Sequence, residues 1–209
     1  MEFNDFILTV NSSSVIILLV LALILLTATR FRGEHAYAAA IIVFPNVPVY
    51  LYNTSVMLAW HKLSLFLFPI TNVNLLLMPL LWLFAKKSFD DSFKLKPIHI
   101  LHLLPMLICL GLGLSMTPEE RLASIEYEMT GDTTFVNDVN AAFVAIQMIA
   151  YFAAIFRFLH RTKKAIGDTL SDAEWIQKRW IPTFEYLFAA LFVIVMVCFF
   201  IWPITGTWL

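Results

Sequence analysis

The chain has 209 residues, of which 60% are hydrophobic and 14% are charged, and its formal net charge is −1. A soluble domain has about 45–50% apolar and about 25% charged residues, so this composition excludes an ordinary soluble protein. The apolar residues occur in blocks of roughly 16–24 residues, long enough to cross a bilayer core as helices. We therefore expect an all-α polytopic membrane protein with a single helical membrane domain. Its six predicted spans cover residues 13–29, 37–52, 63–85, 98–116, 139–159 and 181–201.

The first two predicted spans differ in their regularity. Span one is rich in Ile, Leu and Val, and Arg30 and Arg32 follow it. The acidic N-terminus and the lack of a small-residue cleavage site favour a retained span over a signal peptide. Span two contains Pro45 and Pro48, each of which removes a backbone donor and crowds the carbonyl four residues earlier. We expect span two to be kinked or locally unwound, with freed carbonyls that need partners inside the protein.

A short charged link joins spans three and four, and the chain is organised around it. Span three ends at Lys86-Lys87, and span four opens after Pro97. A link of about ten residues makes the two helices antiparallel neighbours. Gly111 and Gly113, near the far end of span four, permit close helix packing.

The acidic segment 117–138 precedes span five. Thr117-Pro118-Glu119-Glu120 has a capping-box pattern with proline at the first helical position. Leu122, Ile125 and Met129 share one helical face, so we predict a short amphipathic helix on the outer membrane surface. A second capping box at Ser171–Glu174 begins a helix that continues into span six.

The basic residues predict the orientation of the chain. With six spans, twelve of the fourteen Lys and Arg residues fall on one side, and only Lys62 and Arg121 fall on the other. The side with twelve is expected to be cytoplasmic. Both termini then lie outside. A cytoplasmic output domain would need one further span before it, so we expect that a seventh span is missing from this chain.

The link region resembles the N-terminal membrane region of bacterial, Bacteroidetes-type AraC-family helix-turn-helix regulators. In that family a span ends in a proline-leucine-aromatic pattern, a charged link carries an aromatic-basic-leucine-basic element, and the next span opens with a histidine-leucine-proline pattern. The corresponding residues here are Pro79-Leu-Leu-Trp82-Leu-Phe84-Ala-Lys86-Lys87-Ser88, Phe93-Lys94-Leu-Lys96 and His102-Leu-Leu-Pro105-Met-Leu107. The tryptophan-bearing helix around Trp175 is also similar. The resemblance implies a sensor region, although this chain has neither a seventh span nor a helix-turn-helix segment.

Two histidines in span four are the first candidate site. His99 and His102 stand three apart on one helical face and are geometrically able to share a metal. No other metal-ligand spacing accompanies them, so we interpret them as a boundary histidine and a packing histidine. A haem role would need two facing ligands, for which His102 and His160 are the only pair at matched depth. We expect no cofactor and no metal.

Four amides form a second candidate site. Counted inward from the span boundaries, Asn46, Asn72, Asn74 and Gln147 all lie near mid-membrane, where amides need partners. One interpretation is interhelical hydrogen bonding among spans two, three and five, worth about 0.6 kcal/mol each. The other is the polar lining of a ligand pocket beside the Pro45–Pro48 break. Both interpretations remain open.

Arg157 and Glu185 form a predicted structural ion pair. Each lies roughly 5–8 Å inside the cytoplasmic boundary, on spans five and six. Arg157 can reach water by itself, whereas the shorter Glu185 side chain needs a partner or a proton. A proton-relay role is the alternative, but no second acid supports it.

The functional prediction is a membrane-embedded sensing domain of a transcription regulator in the bacterial inner membrane. No nucleotide loop, nucleophile motif or paired catalytic carboxylates occur in the sequence, so we expect no enzymatic activity. The expected partners are the lipid bilayer and an unidentified small-molecule or membrane signal. A homodimer is left open, and this chain itself is expected to contact no nucleic acid. The alternatives are a small transporter that uses the broken span two and, with less support, an intramembrane haem or metal protein.

Overall fold

A computed structural model of the protein describes residues 3–27, 34–89, 93–130 and 134–169, together with residues 190 and 193–194. These residues are helical apart from short links, and they contain no strand, so the all-α prediction is confirmed for this part of the chain. The α-helices are α1 Phe3–Thr27, α2 Glu34–Met57, α3 His61–Leu67, α4 Leu77–Phe89, α5 Leu104–Ser115, α6 Pro118–Thr130 and α7 Phe135–Thr169. A first 3₁₀ segment, Phe68–Leu76, joins α3 to α4, and a second, Pro97–Leu103, leads into α5.

Three helical stretches of the described chain are long and apolar enough to cross a membrane. They are His61–Lys87, Pro97–Ser115 and Phe135–Thr162, which correspond to predicted spans three, four and five. The apolar part of α1, Leu8–Ile24, is shorter, and α2 is not among the three. Of span six, only residues 190 and 193–194 are described. The count of six spans therefore stays a prediction.

Helix α2 remains α-helical through both of its prolines. Pro45 and Pro48 lie inside the single helix Glu34–Met57, so the local unwinding expected for span two does not occur. Pro45 cannot donate to the carbonyl of Ile41, and the side-chain amide of Asn46 donates to that oxygen instead, at 3.4 Å. The helix tolerates the proline because a neighbouring side chain supplies a replacement donor.

A tight turn makes α2 and α3 antiparallel. Ala59 has φ +53°, and its N–H donates to the carbonyl of Val56, while the N–H of Trp60 donates to that of Ser55. This is a Schellman motif with alanine at the left-handed position where glycine is usual. The motif ends α2 abruptly and allows α3 to begin at His61.

Helix α3, the first 3₁₀ segment and α4 form one continuous helical stretch. The 3₁₀ part begins beside Pro69 and ends shortly before Pro79. Nine residues is long for 3₁₀ geometry, whose runs seldom exceed three or four residues. Prolines favour the switch because an i→i+3 bond can fill a carbonyl that the proline leaves without its α-helical donor.

Helix α6 forms as predicted but packs on protein. The N–H of Thr117 donates to Glu120 Oε2 at 2.7 Å, and the N–H of Glu120 donates to Thr117 Oγ1 at 3.2 Å, so the predicted capping box is present. Ile125 is 5% exposed and belongs to a core cluster with Tyr52, Leu67 and Phe68. Ile125 on the apolar face of α6 therefore packs against other helices, and the position of α6 at the outer membrane surface stays a prediction.

The chain divides into two compact units, residues 1–148 and 149–209. In the first unit α1 packs on α2, α2 packs on the first 3₁₀ segment and α4, and α5 packs on the same 3₁₀ segment. The first 3₁₀ segment therefore lies at the centre of that unit, which explains the burial of Phe68, Asn72, Leu75 and Leu76. In the second unit Ile155 and Leu159 are buried.

Candidate functional site

Asn72 lies in a polar contact between two helical stretches. Its side chain is 5% exposed, and its Nδ2 donates to the carbonyl of Pro69 at 2.9 Å. Its Oδ1 accepts a hydrogen bond from Nδ2 of Asn140 in α7 at 2.5 Å. Both polar atoms of the buried amide are therefore satisfied, which is what a buried amide requires. The bond is an interhelical one, as the first of the two interpretations predicts.

Gly113 brings α5 against this contact. A Cβ built at Gly113 would lie 3.1 Å from Cα and Cβ of Pro69 and 3.6 Å from Nδ2 of Asn72. A side chain there would force α5 away from the 3₁₀ segment. Gly111, in contrast, has nothing within 4 Å of its built Cβ, so only one of the two glycines permits close packing.

The contacts of Asn72 place it closer to the helix ends than a count along the chain suggests. Gly113 lies two positions before the end of α5, and Asn140 lies five positions after the start of α7. Asn72, in contrast, follows the start of α3 by eleven positions. The helical stretch that contains Asn72 therefore extends, at its α3 end, beyond the C-terminal end of α5 and the N-terminal end of α7. Counting residues within a single span does not reveal this offset between helices.

Arg121 of α6 ties the same region together. Its Nη1 donates to the carbonyl of Leu65 at 3.5 Å, and its Nη2 donates to the carbonyl of Leu114 at 3.1 Å. The carbonyl of Leu65 has no helical donor, because Pro69, four residues later, has no N–H. The carbonyl of Leu114 is in the last turn of α5, where helical donors also run out. The guanidinium therefore fills two backbone acceptors that belong to two different helices.

The other predicted amides do not join this contact directly. Asn46 donates within its own helix, to Ile41. Asn74 Oδ1 is buried without a hydrogen-bond partner. Gln147 is buried two turns after Asn140 on α7, and among the described residues no hydrogen bond joins it to the three asparagines. The hydrogen bonds of the Asn72 side chain therefore go to Pro69 and Asn140 and to none of the other three predicted amides.

The link between α4 and α5 folds into a stack of rings and one cation. Lys86 Nζ lies 4.8 Å from the ring centroid of Trp82 and 5.9 Å from that of Phe93. Phe93 packs against His99 with centroids 5.4 Å apart, and His99 stacks on His102 at 5.9 Å with an interplanar angle of 16°. We call these five residues the elbow stack. Cation–π and ring contacts of this kind fix the direction in which the chain re-enters the helical bundle.

The elbow stack leaves His99 poorly suited to bind a metal. Its Nδ1 accepts a hydrogen bond from the N–H of Lys96 at 2.9 Å. A neutral imidazole with Nδ1 as acceptor carries its proton on Nε2, so neither nitrogen offers a free lone pair. Among the described residues, no three His, Cys, Asp or Glu side chains form a group that could hold a metal.

The ion pair predicted for Arg157 and Glu185 is not described. Arg157 is exposed on α7, and Glu185 lies outside the described residues, as do Trp175 and the second capping box. Sequence reasoning also missed Asn140 and Arg121. It identified Arg121 only as one of two basic residues on the outer side. The available signal for it was that Pro69 leaves the carbonyl of Leu65 without its helical donor.

The fold and these contacts define an all-helical chain whose apolar helices are suited to a membrane and whose polar side chains connect helices. No protein-family model matches it, and neither a curated protein nor a solved structure is similar to it.

Proposed function

We propose that this chain is the sensing domain of a membrane-bound transcription regulator in the bacterial inner membrane, with its N-terminus outside. It receives a small-molecule or membrane signal near the outer ends of its helices and shifts their cytoplasmic ends. The resemblance of the link region to the AraC-family membrane regulators supports this proposal. The chain itself contacts lipid and no nucleic acid.

One observation carries the proposal. The helical stretch His61–Phe89 contains both Asn72, in the polar contact with α7, and Trp82 and Lys86, in the elbow stack. A single helical stretch therefore links the packing around Asn72 to the elbow stack on the cytoplasmic side, so a displacement at Asn72 can be transmitted to Trp82 and Lys86. The nine-residue 3₁₀ segment in that helix favours such a role, because mid-helix 3₁₀ stretches often mark hinges. A switch between 3₁₀ and α geometry would change the length of the helix by about 0.5 Å for each residue converted.

The carrier alternative has less support. It rested on a broken span two whose freed carbonyls contact a substrate. Helix α2 is continuous, and Asn46 already donates to the carbonyl that Pro45 frees. The haem alternative relied on His102 and His160 as facing ligands, and it stays untested.

The proposal is tested first on the gene and then in the cell. Coding sequence that continues past Leu209 into a further span and a helix-turn-helix domain supports it, and a stop codon directly after Leu209 contradicts it. In the full-length protein, Asn72→Leu should alter the set of transcribed target genes while the protein still reaches the membrane. Thr54→Val, a conservative change on α2, is the matched control and should leave transcription unchanged. Identical transcript profiles for wild type and Asn72→Leu would count against a sensing role for this contact.

A further inference from the structure

The side chains of the second 3₁₀ segment divide into rows with different surroundings. Because a 3₁₀ helix has three residues per turn, side chains three positions apart lie one above the other. His99 and His102 form one row, in which the two rings stack and His99 contacts Phe93. Ile98 and Leu101 form another row, and they are 62% and 61% exposed. The segment therefore packs its imidazole row on the chain and presents an aliphatic row outward.

Exposed lysines directly precede the aliphatic row. Lys94 and Lys96 are exposed, and Leu95 between them is 55% exposed. The helical stretch that is suited to crossing a membrane begins only at Pro97. In a bilayer the two lysines therefore lie at the end of that stretch, at the level of the lipid headgroups, where long basic side chains are favourable. Lysines beside exposed aliphatic side chains are typical of a segment that lies in a membrane interface.

A second pair of lysines ends the neighbouring stretch. Lys86 and Lys87 are the last residues of the apolar stretch His61–Lys87. Lys86 contacts Phe93, and Phe93 contacts His99, so the elbow stack keeps the end of one stretch beside the start of the next. Both pairs of lysines therefore belong to one membrane side of the chain and to one short link.

The charge of this link is predominantly positive. Residues 86–96 contain four lysines against two aspartates, which gives a formal net charge of +2. The aspartates, Asp90 and Asp91, lie outside the described residues. Basic clusters of about this size next to a membrane helix attract anionic lipids over zwitterionic ones.

We propose that the link and the aliphatic row of the second 3₁₀ segment form a binding surface for anionic phospholipids. Ile98 and Leu101 contact the upper part of the acyl chains, and Lys94 and Lys96 contact the phosphates of the headgroups. Each ammonium group can meet a different lipid, so the surface does not require that the lysines share one anion. A lysine near the surface strengthens binding to anionic lipid by about five-fold.

The inference goes beyond the proposed sensing function and does not depend on it. Lipid binding is measured on the purified chain, without a transcriptional readout. It also does not depend on the predicted orientation, because the two leaflets of a nanodisc have the same lipid composition. A chain that binds anionic lipid but controls no genes, and a regulator without lipid preference, are therefore distinguishable results.

The experiment measures which lipids the full 209-residue chain retains. The chain is placed in nanodiscs of equal parts phosphatidylglycerol and phosphatidylcholine and is then released into mild detergent. The lipids that remain bound are identified by native mass spectrometry. We expect phosphatidylglycerol to be enriched over phosphatidylcholine, and we expect the enrichment to fall as salt is added before release, because salt screens exposed charges.

Three variants assign the enrichment to the link. The double variant Lys94→Gln with Lys96→Gln should lower the enrichment by about five-fold for each lysine removed. The double variant Lys94→Arg with Lys96→Arg keeps both charges and should keep the enrichment. Lys62→Gln is the matched control, since it removes the charge of an exposed lysine on α3, outside the link, and should leave the enrichment unchanged.

The opposite results overturn the proposal. Equal retention of the two lipids by the unmodified chain means that the surface does not select anionic headgroups. Enrichment that survives in the double glutamine variant means that the lipid binds elsewhere on the chain. If the lipid data are unchanged while the same variant alters transcription in the full-length protein, the lysines serve an acidic protein partner instead. If the double glutamine variant fails to fold, the two single variants decide, and each should lose about five-fold.

Discussion

Pro45, Pro69 and Pro105 are three of the prolines that leave a backbone carbonyl without its helical donor, and these three carbonyls each accept a different kind of replacement donor. The carbonyl of Ile41, freed by Pro45, accepts from the Asn46 side chain in the same helix. The carbonyl of Leu65, freed by Pro69, accepts from Arg121 of α6. Pro105 leaves the carbonyl of Leu101 without its α-helical donor, and the backbone N–H of Leu104 donates to that carbonyl in an i→i+3 bond. At the residue scale, polar side chains thus lie where the backbone needs them, as expected where no water can substitute.

The hydrogen bond between Asn72 and Asn140 should couple the two residues energetically. Asn72→Leu and Asn140→Leu should each destabilise the chain, and the double variant should lose less than the sum of the two single losses. The expected coupling is about 0.6 kcal/mol, the average for interhelical hydrogen bonds in membranes. The measurement is a double-mutant cycle from unfolding titrations in mixed micelles. Strictly additive losses would show that the bond contributes nothing to stability.

Asn72→Leu also separates the two interpretations of the amides. If Asn72 only joins helices, the thermal stability of the chain falls modestly and the transcriptional response of the full-length protein is unchanged. If Asn72 lines a ligand pocket, that response is lost while the chain still folds. Thermal unfolding of the purified chain and transcript profiles of cells measure the two quantities.

The pairing of Arg157 with Glu185 stays a prediction at this scale. Arg157→Gln and Glu185→Gln should each lower stability, because each change strands one charge in a poor environment. The double variant should recover part of the loss, and the effect should be visible as a partial return of Tm. Additive effects, or a measured distance of more than about 6 Å between the groups, would rule out the bidentate contact.

At the scale of helices, α5 depends on one glycine. Gly113→Ala places a methyl group 3.1 Å from the backbone of Pro69, so it should destabilise the chain by about 1–3 kcal/mol, as overpacking does. Gly111→Ala is the matched control on the same helix, since nothing lies within 4 Å of its built Cβ. The control should leave stability unchanged or raise it by up to about 1 kcal/mol. The pair is compared by unfolding titration, and equal effects would argue against the close approach of α5 to the 3₁₀ segment.

Helix α6 shows why amphipathicity alone does not identify what covers a helix. Its apolar side was predicted to lie on a membrane surface, yet Ile125 packs with Tyr52, Leu67 and Phe68. The Tyr52 and Phe68 rings are 6.2 Å apart and tilted by 59°, and they form much of the surface that receives it. Lipid and protein are equally apolar, so the sequence pattern of α6 fits packing on either, and only the tertiary structure shows that Ile125 contacts protein.

At the scale of the whole molecule, the orientation of the chain can be tested by cysteine labelling. Glu126 and Lys94 are exposed and suit this test, whereas the neighbouring Ile125 is buried. In a chain with Cys109 and Cys198 replaced by alanine, Glu126→Cys should react with an impermeant maleimide only from outside. Lys94→Cys should react only from inside, because the basic residues are expected to face the cytoplasm.

Labelling in intact cells and in inverted membrane vesicles gives both accessibilities. The reverse pattern would overturn the predicted orientation. Reaction of both cysteines from one side would contradict an odd number of spans between them.

The sequence by itself determined the elements that depend on local chemistry. Runs of apolar residues predicted spans three, four and five close to the limits of the three long apolar helical stretches. The capping-box pattern Thr117-Pro118-Glu119-Glu120 predicted the start of α6. Both signals act within a few residues, through the length of a helix and the hydrogen bonds at its end, so no tertiary information is needed. The elbow also followed from the short link between Lys86 and Pro97.

Only the tertiary structure decided which polar residues meet. Counting depth within each span grouped Asn46, Asn72, Asn74 and Gln147, but helices shift along one another, and Asn72 meets Asn140 near the start of α7 instead. The shift arises from contacts between distant segments, above all Gly113 against Pro69 and Arg121 against Leu65. No periodicity in the sequence records such a shift, because each helix has the same pattern whatever its position beside its neighbour.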